Sequence, residues 1–348
     1  MRNFRIIGTG SAYPEESFSN DDLAKIVDTS DEWIRARTGV AGRHICIREN
    51  VTDIAVRAAK NALADAKTDG SELDLIICST LRGDYATPSL SCMLQKEIGA
   101  TCPGFDINCA CSGFIYALDM AESYFASGKV KKILVIAAES MSRIVDWHDR
   151  ATCVLFGDGA GAVVLEPGDA LLSLKLTAKG HTGFLRIASH RGNIPFKEAD
   201  LPEPQTPVEH AAIGQDEEIF AKGNGEEVYP YLLMDGQEVY RFAISSMCKD
   251  IPEVIEKAGL TKDDVDMILP HQANIRIIEG AKSRMKIPRE KFKTNLERFG
   301  NTSSASIPLL LDELHKNGEL KPGMILVFSA FGAGLTSGAC VIRWELNQ

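Results

Sequence analysis

The chain has 348 residues, 45% hydrophobic and 25% charged, enough for a sizeable core and longer than one core usually grows. Its 38 basic residues against 48 acidic give a net charge of −10, so the average surface repels nucleic acid and anionic membrane. No stretch approaches the ~20 apolar residues of a bilayer span, and nine dispersed cysteines without a C-x-x-C pair argue for reduced thiols rather than disulfides or zinc.

The chain opens on a strand-like segment around Phe4–Ile7, with no apolar h-region of a signal peptide, so the cytoplasm is the expected compartment. Gly8-Thr9-Gly10 follows, but Tyr13 stands where a dinucleotide fingerprint needs its third glycine, and a nicotinamide role is set aside. Further on, the chain is written twice. Ser71–Ile77 resembles Asp263–Leu269, and Ile133–Ile136 resembles Ile325–Phe328, both at an offset of 192 positions. Between these anchors Cys109–Glu139 aligns with Asn301–Phe331 without a gap, as polar turn, amphipathic helix, glycine turn and apolar strand. In the first copy Phe114, Ala117, Leu118, Ala121 and Phe125 recur at helical spacing and Gly128 supplies the stop. The second copy carries Ile307, Leu310, Leu311 and Leu314, with Pro308 near the first turn and Gly318 beyond the end. Short apolar strands alternating with such helices predict βαβ units in a layered α/β fold, its two halves meeting near residue 175.

Two segments stand apart. Gly157-Asp158-Gly159-Ala160-Gly161 reads as a hairpin-like turn. Residues 181–230 hold five prolines and the acidic run Asp216-Glu217-Glu218, which reads as a solvated surface insertion, with a lid or binding loop as the other reading.

Three residues stand out as able to do chemistry. Cys111 ends Asn108-Cys109-Ala110-Cys111 just before a helix start, whose unpaired N–H groups favour the attacking thiolate. The plainer reading is a small buried apolar residue. Cys109 lies earlier, on the approach to the turn, and is the weaker candidate. His271 follows a strand that ends at Pro270 and would open a helix, leaving a neutral ring able to donate one hydrogen bond; a structural histidine is the alternative. Asn301, an N-cap or turn residue by type, heads the copy of the Cys111 element. A pseudo-twofold would therefore bring both helix starts to one site. The glycine-rich Ala330-Phe331-Gly332-Ala333-Gly334 follows a strand and could aim an N–H at a developing oxyanion.

The segments Asn108–Phe114, His271–Arg276, Gly300–Ser303 and Phe331–Gly334, together with Asp31–Ile34, Arg37–Gly39 and Phe156–Gly161, span nearly the whole chain, which in these motifs resembles β-ketoacyl-[acyl-carrier-protein] synthase III. The resemblance implies a thiolase fold of α-β-α-β-α layers, with halves at residues 1–175 and 176–348. It also implies a homodimer that starts fatty acid synthesis by decarboxylative Claisen condensation of an acyl-CoA primer with malonyl-[acyl carrier protein]. By the same resemblance Cys111 is the acylated nucleophile, His271 and Asn301 donate hydrogen bonds to the enolate, and the N–H groups of Cys111 and Ala333 hold the tetrahedral oxyanion. Coenzyme A, a substrate rather than a resident cofactor, would be gripped by Thr29, Trp33, Arg37 and Arg150. Acyl carrier protein would dock on Arg241, Gln272, Ala273, Asn274, Ile275, Arg276, Lys282 and Arg284, and the segment His271–Lys293 does carry seven basic residues against two acidic ones. A solvated basic face, and a core Trp33 beside solvated arginines, are the plainer readings of the same residues.

The sequence departs from the family pattern in three places. Thr87 stands where a phenylalanine often faces the partner subunit's acyl pocket, which would admit longer or branched primers. Ser337 replaces a common tryptophan, and the 181–230 segment is long. No metal, nucleic acid or membrane is expected. The nearest alternative is a condensing enzyme of secondary metabolism; a degradative thiolase lacks its second active cysteine here, and a non-catalytic chain-length partner would not need Cys111, His271 and Asn301.

Overall fold

The computed structural model describes residues 3–181, 183–187 and 231–347; the bulk of the predicted 181–230 insertion lies outside the described residues. One sheet contains β1 (Asn3–Ala12), β7 (Asp158–Gly168), β6 (Ile133–Ser140), β4 (Leu75–Ser79) and β5 (Gly104–Ile107), side by side in that order. A second contains β11 (Met267–Pro270), β12 (Ile325–Gly332), β13 (Gly334–Arg343) and β8 (Leu171–His181). Two short antiparallel ribbons complete the strands: β2 (Ser17–Ser19) with β3 (Gly42–His44), and β9 (Leu185–Ile187) with β10 (Leu232–Met234).

The two sheets share a pairing pattern. β4 runs parallel to β6, β6 antiparallel to β7, and β7 antiparallel to β1. In the same way β11 runs parallel to β12, β12 antiparallel to β13, and β13 antiparallel to β8. The counterpart of β5 is reduced to a single parallel bridge between Ile268 and Phe292. The chain crosses from one sheet to the other between Gly168 and Leu171.

Helices in three layers alternate with the two sheets, five layers in all. α1 (Asn20–Leu23) and α2 (Asp31–Thr38) lie to one side of the site; α3 (Val51–Asp65) and α4 (Leu90–Glu97) cover the outer face of the first sheet. α5 (Gly113–Ala126) and α9 (Ser306–Lys316) lie between the sheets, while α6 (Gly236–Lys257) and α7 (Ile275–Met285) cover the second, with the short α8 (Leu296–Phe299) beside them. The period-2 geometry of strands explains the unbroken apolar runs, because alternate side chains enter different layers. Ile133, Val135 and Ala137 face the central helices, whereas Leu134, Ile136 and Ala138 face α3 and α4. Leu326 and Phe328 likewise face the centre and Val327 faces α6 and α7.

Close packing corrects the reading of the first glycine cluster. Gly159 and Gly161 are not in a turn but inside β7, under the start of α9. A Cβ on Gly161 would stand 2.6 Å from Leu309 N, so glycine lets helix and strand meet. Gly8 and Gly10 do the same for β1 against α3, whose Ala58 and Ala62 backbones crowd them.

The repeat also differs in detail from an ungapped copy. α5 has 14 residues and α9 has 11, so the register drifts within the helices and is restored at the strands. Each helix is preceded by a 3-10 turn, Ala110–Ser112 and Ser303–Ala305, and neither has a side-chain cap. The first residue of each turn, Ala110 at φ 48° and Ser303 at φ 51°, is left-handed, a conformation uncommon for residues other than glycine.

Candidate active site

The two 3-10 turns meet. Ser303 Oγ lies 3.4 Å from Cys111 Sγ, across 192 positions of sequence. Asn301 precedes the second turn, and its side-chain oxygen accepts the Ser303 N–H at 2.8 Å, which fixes the amide. The backbone of Asn301 is stitched to the strand-like segment before β7, its N–H donating to Leu155 O at 2.8 Å and its carbonyl accepting from Gly157 N at 3.1 Å. Close approach also governs the other side of Cys111: a Cβ on Gly332, at the end of β12, would lie 2.7 Å from Cys111 N. Beyond it the β12–β13 turn is pinned by Thr336, whose hydroxyl oxygen lies 3.0 Å from Ala333 O and 3.2 Å from Cys109 O, within reach of either carbonyl.

His271 sits in the loop after β11, 2% exposed, with its N–H donating to Ser329 O at 2.7 Å. It does not open a helix. α7 begins only at Ile275, behind its N-cap Asn274, so the helix start invoked from sequence is not the cause of neutrality. Burial is, and it pushes the imidazole down to about 3. Its Nδ1 lies 2.7 Å from Ser306 Oγ, the same oxygen that accepts the Gln272 N–H at 3.3 Å. With that N–H received, the Ser306 hydrogen is free to be donated to Nδ1, which puts the ring hydrogen on Nε2. Phe331 holds the ring edge-on at a centroid distance of 5.4 Å and an interplanar angle of 67°.

The sulfur is not primed in the way the helix start suggested. Burial pushes the Cys111 thiol up to about 12; the Ser303 hydroxyl pulls it partly back and the nearby Glu139 adds to the rise. Sequence reasoning missed Glu139, Ser303 and Ser306. For Ser303 a signal existed, since the repeat offset carries position 111 directly onto 303.

A cavity of about 1340 Å³ is lined by Cys111, His271, Asn301 and Ala333 together with Trp33 and Arg37. Trp33 and Arg37 share a face of α2, as their spacing predicts, with the Arg37 guanidinium 5.4 Å from the indole centroid. Arg150 lies outside the lining but covers the same indole at 4.9 Å, its Nη1 donating to Asp28 O. Thr29 also lies outside the lining, with a buried hydroxyl. Thr87 does not reach this cavity either: it is exposed, on a loop whose Tyr85 is 60% exposed.

The predicted carrier residues divide by exposure. Arg276 and Arg284 are exposed on α7, and Arg241, paired with Glu238, is exposed on the neighbouring α6. Lys282 is paired with Glu279 at 2.5 Å. Asn274 caps α7 by accepting the Arg276 N–H, and Ile275 packs on the Gly39 backbone. Ala273 and Gln272 are buried. The Gln272 amide is spent internally, donating to Pro270 O at 2.6 Å and accepting from Asn295 N at 3.2 Å, so its side chain faces away from any carrier.

Paired halves that together build five layers, with a cavity where two helix starts converge, define the thiolase-fold condensing enzymes, and solved structures of that class overlay the chain. The structure of 3-oxoacyl-[acyl-carrier-protein] synthase III from Aquifex aeolicus VF5 matches with a TM-score of 0.85 and 41% identity, over 98% of this chain and 100% of that one. The priming β-ketosynthase of the R1128 polyketide pathway matches at 0.85 with 32% identity, over 99% and 97%. In sequence, the chain is 43% identical to the β-ketoacyl-[acyl-carrier-protein] synthase III of Clostridium acetobutylicum, covering 99% of both. Family models described as 3-oxoacyl-[acyl-carrier-protein] synthase III match residues 105–180, and its C-terminal part residues 255–344. The chain belongs to the β-ketoacyl-[acyl-carrier-protein] synthase III family. It is a condensing acyltransferase.

Proposed function

We propose that this enzyme starts fatty acid synthesis by loading an acyl group from coenzyme A onto Cys111 and condensing it with malonyl-[acyl carrier protein]. Loss of carbon dioxide leaves an enolate whose oxygen receives hydrogen bonds from His271 Nε2 and the Asn301 amide. The enolate carbon attacks the Cys111 thioester, and the N–H groups of Cys111 and Ala333 hold the oxyanion that forms. A neutral histidine suits this role, because it donates a hydrogen bond without protonating the carbanion. The observation that carries the reading is that Cys111, His271, Asn301 and Ala333, remote in sequence, line one cavity.

In this reading Trp33, Arg37 and Arg150 grip the nucleotide end of coenzyme A, with Arg150 swinging off the indole to admit the adenine. Acyl carrier protein docks on the exposed basic face of α6 and α7 through Arg241, Arg276 and Arg284. The reaction uses no resident cofactor, and the enzyme works as a cytoplasmic homodimer in which the Thr87 loop of one subunit meets the acyl pocket of its partner. Among the described residues no helix is long and apolar enough to cross a membrane. With a threonine at that position the pocket accepts primers longer or more branched than acetyl.

Intact-mass measurement after incubation with a panel of acyl-CoAs tests the reading. An acyl adduct on the wild type, absent in Cys111→Ala and followed by 3-oxoacyl-carrier formation, is expected. An unmodified Cys111 with every primer overturns it, and a strict acetyl preference overturns the primer assignment.

A further inference from the structure

The two oxyanion donors assigned above sit on separate segments, and the covalent chain does not set the distance between them. Cys111 belongs to the 3-10 turn before α5, and Ala333 to the turn between β12 and β13. Two N–H groups stabilise one oxyanion only when both stand about 2.7–3.1 Å from it, so a small drift of one turn against the other loses a donor. Gly332 limits their approach, since a Cβ there would already stand 2.7 Å from Cys111 N. A steric stop works in one direction only. Keeping the turns from separating needs a tie.

Ser112 and Thr336 form it. Ser112 follows the nucleophile in the chain and is buried, and its Oγ lies 2.7 Å from Thr336 Oγ1 across 224 positions of sequence. Thr336 pairs with Gly332 in the antiparallel β12–β13 ladder, so it closes the turn that carries Ala333. Each hydroxyl also reaches a carbonyl. Ser112 Oγ lies 2.8 Å from Cys109 O, and Thr336 Oγ1 lies 3.0 Å from Ala333 O and 3.2 Å from Cys109 O. The hydrogens can be counted, because each hydroxyl has one to donate. One lies between the two hydroxyls and the other goes to a carbonyl. If Ser112 donates to Thr336, Thr336 holds Ala333 O or Cys109 O; if Thr336 donates to Ser112, Ser112 holds Cys109 O. Every pattern keeps the 110–112 turn joined to Thr336, and such chains strengthen as each hydroxyl polarises the next. The sulfur has a different hydroxyl partner, Ser303, so this pair acts on the backbone around it.

We propose that the Ser112–Thr336 hydroxyl pair is a positioning clamp that fixes the spacing of the Cys111 and Ala333 N–H groups, with Gly332 as its stop. The inference rests on those two N–H groups holding the oxyanion. Acylation by acyl-CoA and condensation with malonyl-carrier each pass through a tetrahedral oxyanion on the acyl carbon bonded to Cys111, so the clamp serves both half-reactions. It has no part in gripping the nucleotide end of coenzyme A, which falls to Trp33 and Arg37 on α2. Its loss therefore appears in the rate at saturating substrate and leaves binding unchanged.

The test compares two reactions of the same sulfur. Acylation by an accepted acyl-CoA is followed by intact mass in a single turnover, and alkylation by iodoacetamide is read at Cys111 by peptide mass. Alkylation displaces iodide from a saturated carbon and forms no oxyanion, so it reports the thiol alone. Thr336→Val keeps the side-chain shape without the hydroxyl. It should lower the saturating acylation rate about 10- to 100-fold, at or below the range for outright loss of a donor. Its half-saturating acyl-CoA concentration and its alkylation rate should stay within about twofold of wild type. Condensation of the pre-acylated variant should fall by a similar factor. Thr336→Ser keeps the hydroxyl and should recover acylation to within about threefold. Ser112→Ala should fall between, because Thr336 can still donate to Cys109 O and join the two turns. Acylation of Thr336→Val at the wild-type rate overturns the clamp and leaves the assignment of Cys111 standing. An equal fall in alkylation places the effect on the sulfur and overturns it too, as does a failure of Thr336→Ser to recover. If Thr336→Val does not fold, Ser112→Ala decides by the same split between acylation and alkylation. A wild type that forms no adduct with any acyl-CoA overturns both the clamp and the reading it rests on.

Discussion

Ser306 Oγ lies 2.7 Å from His271 Nδ1 and receives the Gln272 N–H at the same time, so one hydroxyl sets both the tautomer and the tilt of the ring. Because Ser306 is the first residue of α9, the histidine of one loop is oriented by a helix that starts 35 positions later. Replacing Ser306 by Ala removes the partner of Nδ1 and leaves a buried N–H unpaired. A buried hydrogen bond contributes about 0.5–1.5 kcal/mol, so condensation with malonyl-carrier should slow roughly two- to tenfold while the acylation burst with acyl-CoA is unchanged. Equal loss in both half-reactions would contradict the role.

His271 is held near 3 by burial, well below the ordinary 6.5. Pre-acylated enzyme should therefore condense with malonyl-carrier without an inflection near pH 6.5. The stability consequence has a definite sign. The unfolded chain protonates this residue below about 6.5 and the folded chain only near 3, so the contribution is present above that window and is lost as pH falls through it. The urea midpoint of His271→Asn should fall less steeply than that of the wild type between about pH 6.5 and 4. Parallel curves would refute the assignment.

Gly332 has room for hydrogen and little else, because a Cβ there would stand 2.7 Å from Cys111 N. Gly332→Ala must push the 3-10 turn away from the β12 end and misalign the Cys111 N–H, a proposed oxyanion donor. Losing such a donor costs about 2.7–4 kcal/mol of barrier, so acylation should slow roughly 100- to 1,000-fold. Circular dichroism should still report a folded protein. Acylation within a few-fold of wild type would show that the turn tolerates the shift.

Trp33 is covered by Arg37 and Arg150, two cation–π contacts that an adenine ring could replace. Such contacts are worth about 0.5–2 kcal/mol. Trp33→Ala should raise the KM for acyl-CoA roughly two- to thirtyfold with little change in kcat, and acylation by a short pantetheine thioester lacking the nucleotide should be unaffected. A matching loss with the short thioester would place Trp33 in the core instead of the substrate grip.

Arg276 and Arg284 project from α7 into solvent in a chain of net charge −10. Reversing both to Glu should slow turnover with malonyl-carrier by about tenfold or more at low salt, with the gap narrowing as salt rises, and should spare acylation by acyl-CoA. Gln272→Ala is the contrast. Its amide is buried and bonded to Pro270 O and Asn295 N, so the effect expected there is on thermal stability.

Much of the fold was legible because periodicity is a local property. The apolar runs at Ile133–Ile136 and Ile325–Phe328 named strands buried between helices, and Phe114, Leu118 and Phe125 named the buried stripe of a helix. The offset of 192 then pointed to two halves of one design before any contact was seen. Glycines misled where their reason lay outside their own segment. Gly159 and Gly161 resemble a turn in isolation, yet they sit in a strand because α9 presses on them.

The sequence alone determined which residues are chemically able to act, Cys111, His271 and Asn301 among them, since residue type and neighbouring motif travel with the chain. Tertiary structure decided their ionisation and their company. Burial is set by what packs around a group from distant parts of the chain, and it reversed the expected ease of forming a thiolate at Cys111 and supplied a different cause for a neutral His271. Ser303, Ser306 and Glu139 entered the site for the same reason: desolvation and hydrogen-bond reach depend on distance in space, which residue spacing encodes only after both halves have folded together.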